Sequence, residues 1–260
     1  MSTSPSSEPV AIITGAGSGI GAATAELLAT HGYAVVLVGR RRELLDGVQR
    51  EIEKDGGVAA VIAIDLASDG AAKRIVEATI DSFGRLDVVV NNAAFIQTGS
   101  LDEVSAELID AHYDVNVRAP LLLAQASLEH LRRSPDASIV NVGSSLGSMV
   151  MPDTMLYGST KAALEYLTKA WAYQLAADRI RVNCVAPGVI DTPIHATYSD
   201  DLAATYADLA RRVPMGRMGT AQEVAEWIWI VISPSTSWST GNVIHVDGGH
   251  VLGIPESAGG

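Results

Sequence analysis

Seven short apolar runs recur along the chain and scarcely alternate with polar residues: VAIITG (10–15), AVVLVG (34–39), AAVIAID (59–65), LDVVVNN (86–92), SIVNVG (138–143), RIRVNCVAPG (179–188) and GNVIHVDGG (241–249). A strand with one wet face alternates; a run rich in Val and Ile that does not is a strand buried on both faces, the mark of a parallel sheet. The segments between the runs carry helical periodicity, as in 42–54 and 69–83. The longest, 156–177, repeats Leu164, Leu167, Trp171 and Leu175 at helical spacing. Strand–helix alternation requires right-handed crossovers. The expectation is therefore an α/β fold, a doubly wound, seven-stranded parallel sheet flanked by helices on both faces. No repeat or linker divides the chain, so one domain is expected over 10–252, with disordered tails at 1–9 and 253–260. Residues 189–219 break the rhythm with a long polar insertion, which suits a lid over a substrate.

Composition narrows the partners. The 260 residues carry a formal charge of −12, which disfavours a nucleic-acid backbone or an anionic membrane as the main partner. Cys184 is the one cysteine; it forms no intrachain disulfide, and its apolar setting reads as core, not nucleophile. The most apolar patch, WIWIVI at 227–232, is far short of the roughly 18 residues that span a bilayer. The start, MSTSPSSEP, lacks a signal peptide's basic and apolar regions, and a cytoplasmic location is expected. The six histidines, at 31, 112, 130, 195, 245 and 250, show no metal-ligand spacing, and no metal is expected.

The first apolar run leads directly into TGAGSGIG, residues 14–21. Gly15, Gly19 and Gly21 fit Gly-x-x-x-Gly-x-Gly, with Ser18 and Ile20 between them. Such a strand-to-helix turn brings backbone close to a pyrophosphate and presents helix N–H groups to it; a tight structural turn is the plainer alternative. Where the second strand ends, a carboxylate would bind ribose hydroxyls. Here Gly39-Arg40-Arg41 stands instead. Glycine leaves room and arginine matches a phosphate, so Arg40 points to the 2′-phosphate of NADP, with NAD the alternative.

Tyr157 and Lys161, in LYGSTKAAL, lie one helical turn apart. They read either as a helix-entry aromatic with a solvated charge, or as a phenol made more acidic by a neighbouring ammonium.

With these motifs in order, the sequence resembles the short-chain dehydrogenase/reductase family over essentially its whole length. The glycine loop resembles the family's cofactor loop, and Asp65-Leu66 its adenine contact. Asn91-Asn92-Ala93-Ala94 resembles its Asn-Asn-Ala-Gly motif, with Ala94 in place of glycine. Pro187-Gly188, with Ile190 and Thr192 beyond, resembles the segment that holds the nicotinamide. The resemblance implies a Rossmann fold, an NAD(P) cofactor and a catalytic set of Tyr157, Lys161, a serine 13 residues before the tyrosine, Ser144, and Asn116. Tyr157 would transfer the proton, Lys161 would lower the phenol pKa and bond the nicotinamide ribose, Ser144 would hold the substrate oxygen, and Asn116 would anchor a water leading to Lys161. A homotetramer is also implied, with WIWIVI and the last strand in an interface.

The substrate is expected to be a ketone or secondary alcohol. Met149, Met151, Met155, Met215 and Met218 cluster in the two segments expected to border it, which suggests a roomy apolar pocket for a bulky or cyclic compound; core filling is the alternative. His195 lies in the lid as a surface residue or substrate contact. A 3-oxoacyl-acyl-carrier-protein reductase is the second reading, for which Arg132 and Arg133 could meet an acidic carrier. A non-catalytic nucleotide sensor is the third.

Overall fold

The computed structural model describes residues 8–193 and 201–253. The tails expected at 1–9 and 253–260 fall mostly outside the described residues, and so do the middle of the insertion and His195.

All seven runs become strands of one sheet: β1 (Val10–Thr14), β2 (Ala34–Gly39), β3 (Val58–Ala63), β4 (Val88–Asn91), β5 (Ser138–Val142), β6 (Arg181–Pro187) and β9 (Val243–Val246). Their order is β3-β2-β1-β4-β5-β6-β9, and every pair is parallel. The chain winds outward from β1 in one direction and, from β4, in the other. A crevice opens beyond the strand ends where the winding reverses.

Side chains of each strand divide between two cores. On one face Ala11, Ile13, Val35 and Leu37 pack against α1 (Gly19–Thr30), α2 (Arg42–Lys54) and α8 (Ala221–Ile232). On the other, Val10, Ile12, Val36 and Ile139 pack against α3 (Ala71–Phe83), α5 (Ala119–Leu131) and α6 (Met155–Leu175). This double burial is the reason the strands do not alternate in sequence. Fully burying a residue such as Leu28 or Leu37 contributes about 1.5–3 kcal/mol each.

The helix expected at 69–83 starts at Ala71 because Gly70 turns the chain through the left-handed region, φ 69°. The apolar patch WIWIVI is split by its helix: Ile228, Val231 and Ile232 enter the core, while Trp227 (40% exposed) and Ile230 (39%) face outward. Arg181, at the start of β6, donates to the carbonyls of Val231 and Ile232. A cation thus satisfies the otherwise open C-terminus of α8.

The insertion after β6 holds a short β7 (Ile190–Asp191), a helix α7 (Leu202–Arg212) and β8 (Gly219–Thr220), with β7 and β8 paired. Between β4 and α5 the helix α4 (Ala106–Tyr113) passes through a π turn at Asp114–Arg118. That wider turn is not visible in the sequence.

Candidate active site

A cavity of about 730 Å³ occupies the crevice. Its first half is built from β1, β2 and β4. Gly15 and Gly19 adopt φ of 66° and 54°, where other residues are strained. A Cβ on Gly15 would lie 2.8 Å from Asn92 Nδ2 and 2.9 Å from Ala93 Cα. Gly15, Ser18, Gly19 and Ile20 line the cavity; Gly21 does not. A Cβ on Gly21 would fall 2.3 Å from the Gly15 carbonyl oxygen, so Gly21 lets α1 start hard against the loop. Asn92 Nδ2 donates to Thr14 O at 2.8 Å, and the N–H groups of Asn92 and Ala93 both reach Thr14 Oγ1 at 3.0 Å. The Asn-Asn-Ala-Ala segment is thereby fastened to the loop. The bare backbone, the free first turn of α1 and the room left by the glycines fit a dinucleotide pyrophosphate.

Asp65 and Leu66, just past β3, line the same cavity, and so do Ala93 after β4 and Pro187, Gly188, Ile190 and Thr192 at and after the end of β6. Gly39, Arg40 and Arg41 close this end of the cavity. Both arginines are exposed, and neither has an ion-pair partner among the described residues, although Arg42 beside them pairs with Asp46. Cations left open at a cavity mouth suit an anionic ligand.

The second half gathers three of the four expected catalytic residues. Ser144 stands at the end of β5, capping a short turn by accepting from Leu146 N at 3.2 Å. Tyr157 and Lys161 lie in the first turns of α6, and all three line the cavity. The Lys161 ammonium sits 5.5 Å from the centre of the Tyr157 ring and donates to the Val142 carbonyl at 2.7 Å. It is 2% exposed, and burial brings its pKa down to about 8. Burial pushes the Cys184 thiol up to about 12, which leaves it an inert core residue, as expected. Asn116 is not among the residues lining the cavity; it lies buried in the π turn and bonds Thr160 on α6.

The methionine expectation needs correction. Of the five, Met151 alone lines the cavity, and Met215 points outward at 67% exposed. The far wall is made instead by Phe95, Ile96, Val115, Leu146 and Leu209, with Arg212 and His250. None of these was singled out in the sequence; His250 follows the last strand in DGGH, but no spacing marks it. Arg132 and Arg133, considered for an acidic carrier, are taken up by Asp178 and Glu129. No cluster suited to a metal ion occurs among the described residues, and no helix among them is long and apolar enough to cross a membrane.

Residues 15–250 match the protein family described as Enoyl-(Acyl carrier protein) reductase. The 3-oxoacyl-[acyl-carrier-protein] reductase FabG of Thermotoga maritima is 36% identical over 243 residues, 94% of this chain and 98% of that protein. The cis-4-hydroxycyclohexanecarboxylate dehydrogenase of Sinomonas cyclohexanicum is 36% identical over 244 residues, 94% of this chain and 96% of that one. Among solved structures, a short chain dehydrogenase from Burkholderia cenocepacia J2315 in complex with NADP superposes with a TM-score of 0.86 at 36% identity, covering 93% of this chain and 97% of that chain.

Proposed function

This chain belongs to the short-chain dehydrogenase/reductase family, and on that premise we propose that it uses NADP(H) to interconvert an apolar, ring-sized ketone and its secondary alcohol. It is an oxidoreductase of CH–OH groups that uses a nicotinamide cofactor. The observation that carries the finer reading is the shared wall on which Ser144, Tyr157 and Lys161 meet, beside a glycine-lined end with open arginines.

The nicotinamide, when bound, supplies the hydride exchange at the substrate's carbonyl carbon. The chain's own residues handle the oxygen. Ser144 Oγ donates a hydrogen bond to it and fixes its position. The Tyr157 hydroxyl gives its proton to that oxygen in reduction and takes it back in oxidation. A free phenol, with a pKa of about 10, exchanges protons poorly at neutral pH; the Lys161 cation beside the ring stabilises the phenolate and brings the group toward its working range. Arg40 faces the place of a 2′-phosphate. Phe95, Ile96 and Leu146 give the substrate end an apolar lining, and a relative named for a ring alcohol supports a cyclic substrate.

Parallel assays with NADPH and NADH against ketones, sugars and acyl thioesters test this reading. Turnover of cyclic ketones with NADPH is expected, together with its near-complete loss in Tyr157→Phe despite normal cofactor binding. Retained turnover in that variant overturns the assignment, and a preference for NADH overturns the role of Arg40.

The 3-oxoacyl-carrier-protein reading has a relative in its favour. Against it stand a net charge of −12 and the engagement of Arg132 and Arg133 in ion pairs. The outward face of α8 and the incompletely buried edge strand β9 support a homotetramer.

A further inference from the structure

Two segments distant in sequence close the substrate end of the cavity. Val213 and Pro214, just past α7, press on Gly248 and Gly249, just past β9. A Cβ on Gly248 would lie 2.6 Å from Val213 Cγ1, and one on Gly249 would lie 3.3 Å from Pro214 Cβ. Met215 N donates to Gly248 O at 3.2 Å. Both glycines have positive φ, 61° and 88°, so the contact depends on them twice over. Its effect is to bring Arg212, one residue before Val213, and His250, one residue after Gly249, to the same stretch of cavity wall.

Each is held in a definite state. Asp208 accepts from Arg212 Nε at 2.9 Å and from Nη2 at 2.7 Å, which orients the guanidinium and shares part of its charge. His250 is 1% exposed. Its Nδ1 lies 3.2 Å from Ser145 Oγ, while its Nε2 has no hydrogen-bond partner among the described residues. Burial lowers the imidazole pKa, Asp247 opposes this and the Arg212 charge adds to it, so the neutral ring is the resting form. Nδ1 is the one acceptor within reach of the Ser145 hydroxyl among the described residues, so that hydroxyl is assigned as the donor and the proton of the neutral ring to Nε2. A buried donor without an acceptor costs free energy that a ligand recovers by supplying one. The carboxylates on the cavity wall, Asp65 and Asp153, come from other segments.

We infer that Arg212 and His250 form a recognition site for a carboxylate, and that the substrate is a cyclic oxo or hydroxy acid instead of a neutral ketone. The inference rests on the reading of this cavity as the place of ketone reduction. A guanidinium whose charge Asp208 already offsets, plus one neutral imidazole donor, offers N–H donors without surplus positive charge, which limits the site to a single carboxylate. A phosphate dianion would bring more charge than the pair can meet.

The test compares cyclohexanone with 4-oxocyclohexanecarboxylate at saturating NADPH. The oxo acid is expected to have the higher kcat/KM by about tenfold or more, the worth of one charge-assisted hydrogen bond. In Arg212→Gln and in His250→Phe the preference should fall below about threefold, with the change in KM and not in kcat. Calorimetry of cyclohexanecarboxylate on the NADP⁺ complex gives a second readout, with binding expected to weaken about tenfold or more in Arg212→Gln. Equal efficiency on the two ketones, or a preference that survives both substitutions, overturns the carboxylate site while leaving ketone reduction intact. If neither ketone is turned over with either cofactor, the reductase reading itself fails, and the calorimetry alone decides the site: undiminished binding in Arg212→Gln, or none in the unaltered protein, overturns it.

Discussion

The Asn116 carboxamide closes on the peptide groups of Phe95 from both sides. Its Oδ1 accepts from Phe95 N–H at 2.7 Å, and its Nδ2 donates to Phe95 C=O at 2.8 Å. The second Nδ2 hydrogen goes to Thr160 Oγ1 at 3.0 Å. Thr160 lies between Tyr157 and Lys161 on α6, and Phe95 lies on the cavity wall. One side chain therefore ties the substrate-side loop to the helix that carries the proposed proton donor. Both amide hydrogens are consumed, so a water held by Asn116 would sit on its main-chain carbonyl or on the remaining Oδ1 lone pair.

Asn116→Ala removes these three buried hydrogen bonds and is expected to cost about 2–4 kcal/mol at about 1 kcal/mol each. Turnover should fall with stability as the Phe95 loop loosens. Asn116→Asp keeps the acceptor but sets a carboxylate against the Phe95 carbonyl, and should do no better. Urea denaturation of both variants measures the cost; an Ala variant as stable and active as the unaltered protein would remove the clamp from the account.

Lys161 makes the cofactor-free protein less stable than its packing allows. Below about pH 8 the ammonium is charged both in the fold and in the unfolded chain, and the full desolvation penalty applies. Between about 8 and the ordinary 10.5 the native chain releases its proton first, so the penalty fades as pH rises. Lys161→Met should therefore melt at a higher temperature than the unaltered protein at pH 7, by at most about 3 kcal/mol in stability. The advantage should shrink through pH 8–10. Thermal melts across that range check both the sign and the window; an advantage that grows with pH would contradict the burial account.

The same titration bears on turnover. Loss of the Lys161 cation above about pH 8 removes the charge that stabilises the Tyr157 phenolate. In the reductive direction, kcat/KM is expected to decline above that pH with the slope of a single proton. A profile flat to pH 10 would separate Lys161 from the proton transfer.

Gly21 and Gly32 make a matched pair for the glycine loop. Alanine at 21 drives a methyl group into the Gly15 carbonyl, 2.3 Å from its oxygen and 2.8 Å from its carbon, and backbone cannot give way. Alanine at 32 meets nothing within 4 Å and is strained only by its φ of 80°. Gly21→Ala should weaken NADPH binding by about tenfold or more, while Gly32→Ala should cost about 1 kcal/mol of stability with binding unchanged. Fluorescence titration of NADPH separates the two; equal affinities would mean that the loop does not seat the dinucleotide.

Ile230 tests the tetramer. It is 39% exposed on the outer face of α8, beside Trp227. Ile230→Glu leaves the core residues Ile228 and Val231 in place and puts a charge into the proposed interface. Sedimentation velocity should show smaller species; an unchanged mass would place the interface elsewhere.

The strands were legible because Val and Ile runs such as AVVLVG do not alternate, and a sheet covered on both faces imposes that pattern. The cavity residues Gly15 and Arg40 were legible because local position carries them, a loop of glycines and a strand end; Tyr157 and Lys161 were legible through the family resemblance, since one helical turn between them left two readings open. What escaped depends on contacts between distant segments. Arg212 and His250 reach one cavity wall because Val213 and Pro214 settle on Gly248 and Gly249. The π turn around Asn116 has no local signature. WIWIVI reads as one apolar block, yet a helix turns Trp227 and Ile230 away from Ile228. The methionines misled because their shared position in sequence says nothing about side-chain direction, and of them Met151 alone points into the cavity wall.

The strand order divides the cavity by length of chain. The wall from Gly15 to Ala93 comes from the first four strands and is complete before residue 100, whereas Pro187, Arg212 and His250 come from the last third. Part of the substrate end can thus be inherited separately from the rest of the site. A hybrid whose chain crossed over to a relative's after residue 193 would keep the described cavity residues from Gly15 to Pro193, Ser144, Tyr157 and Lys161 among them, and would exchange Leu209, Arg212 and His250.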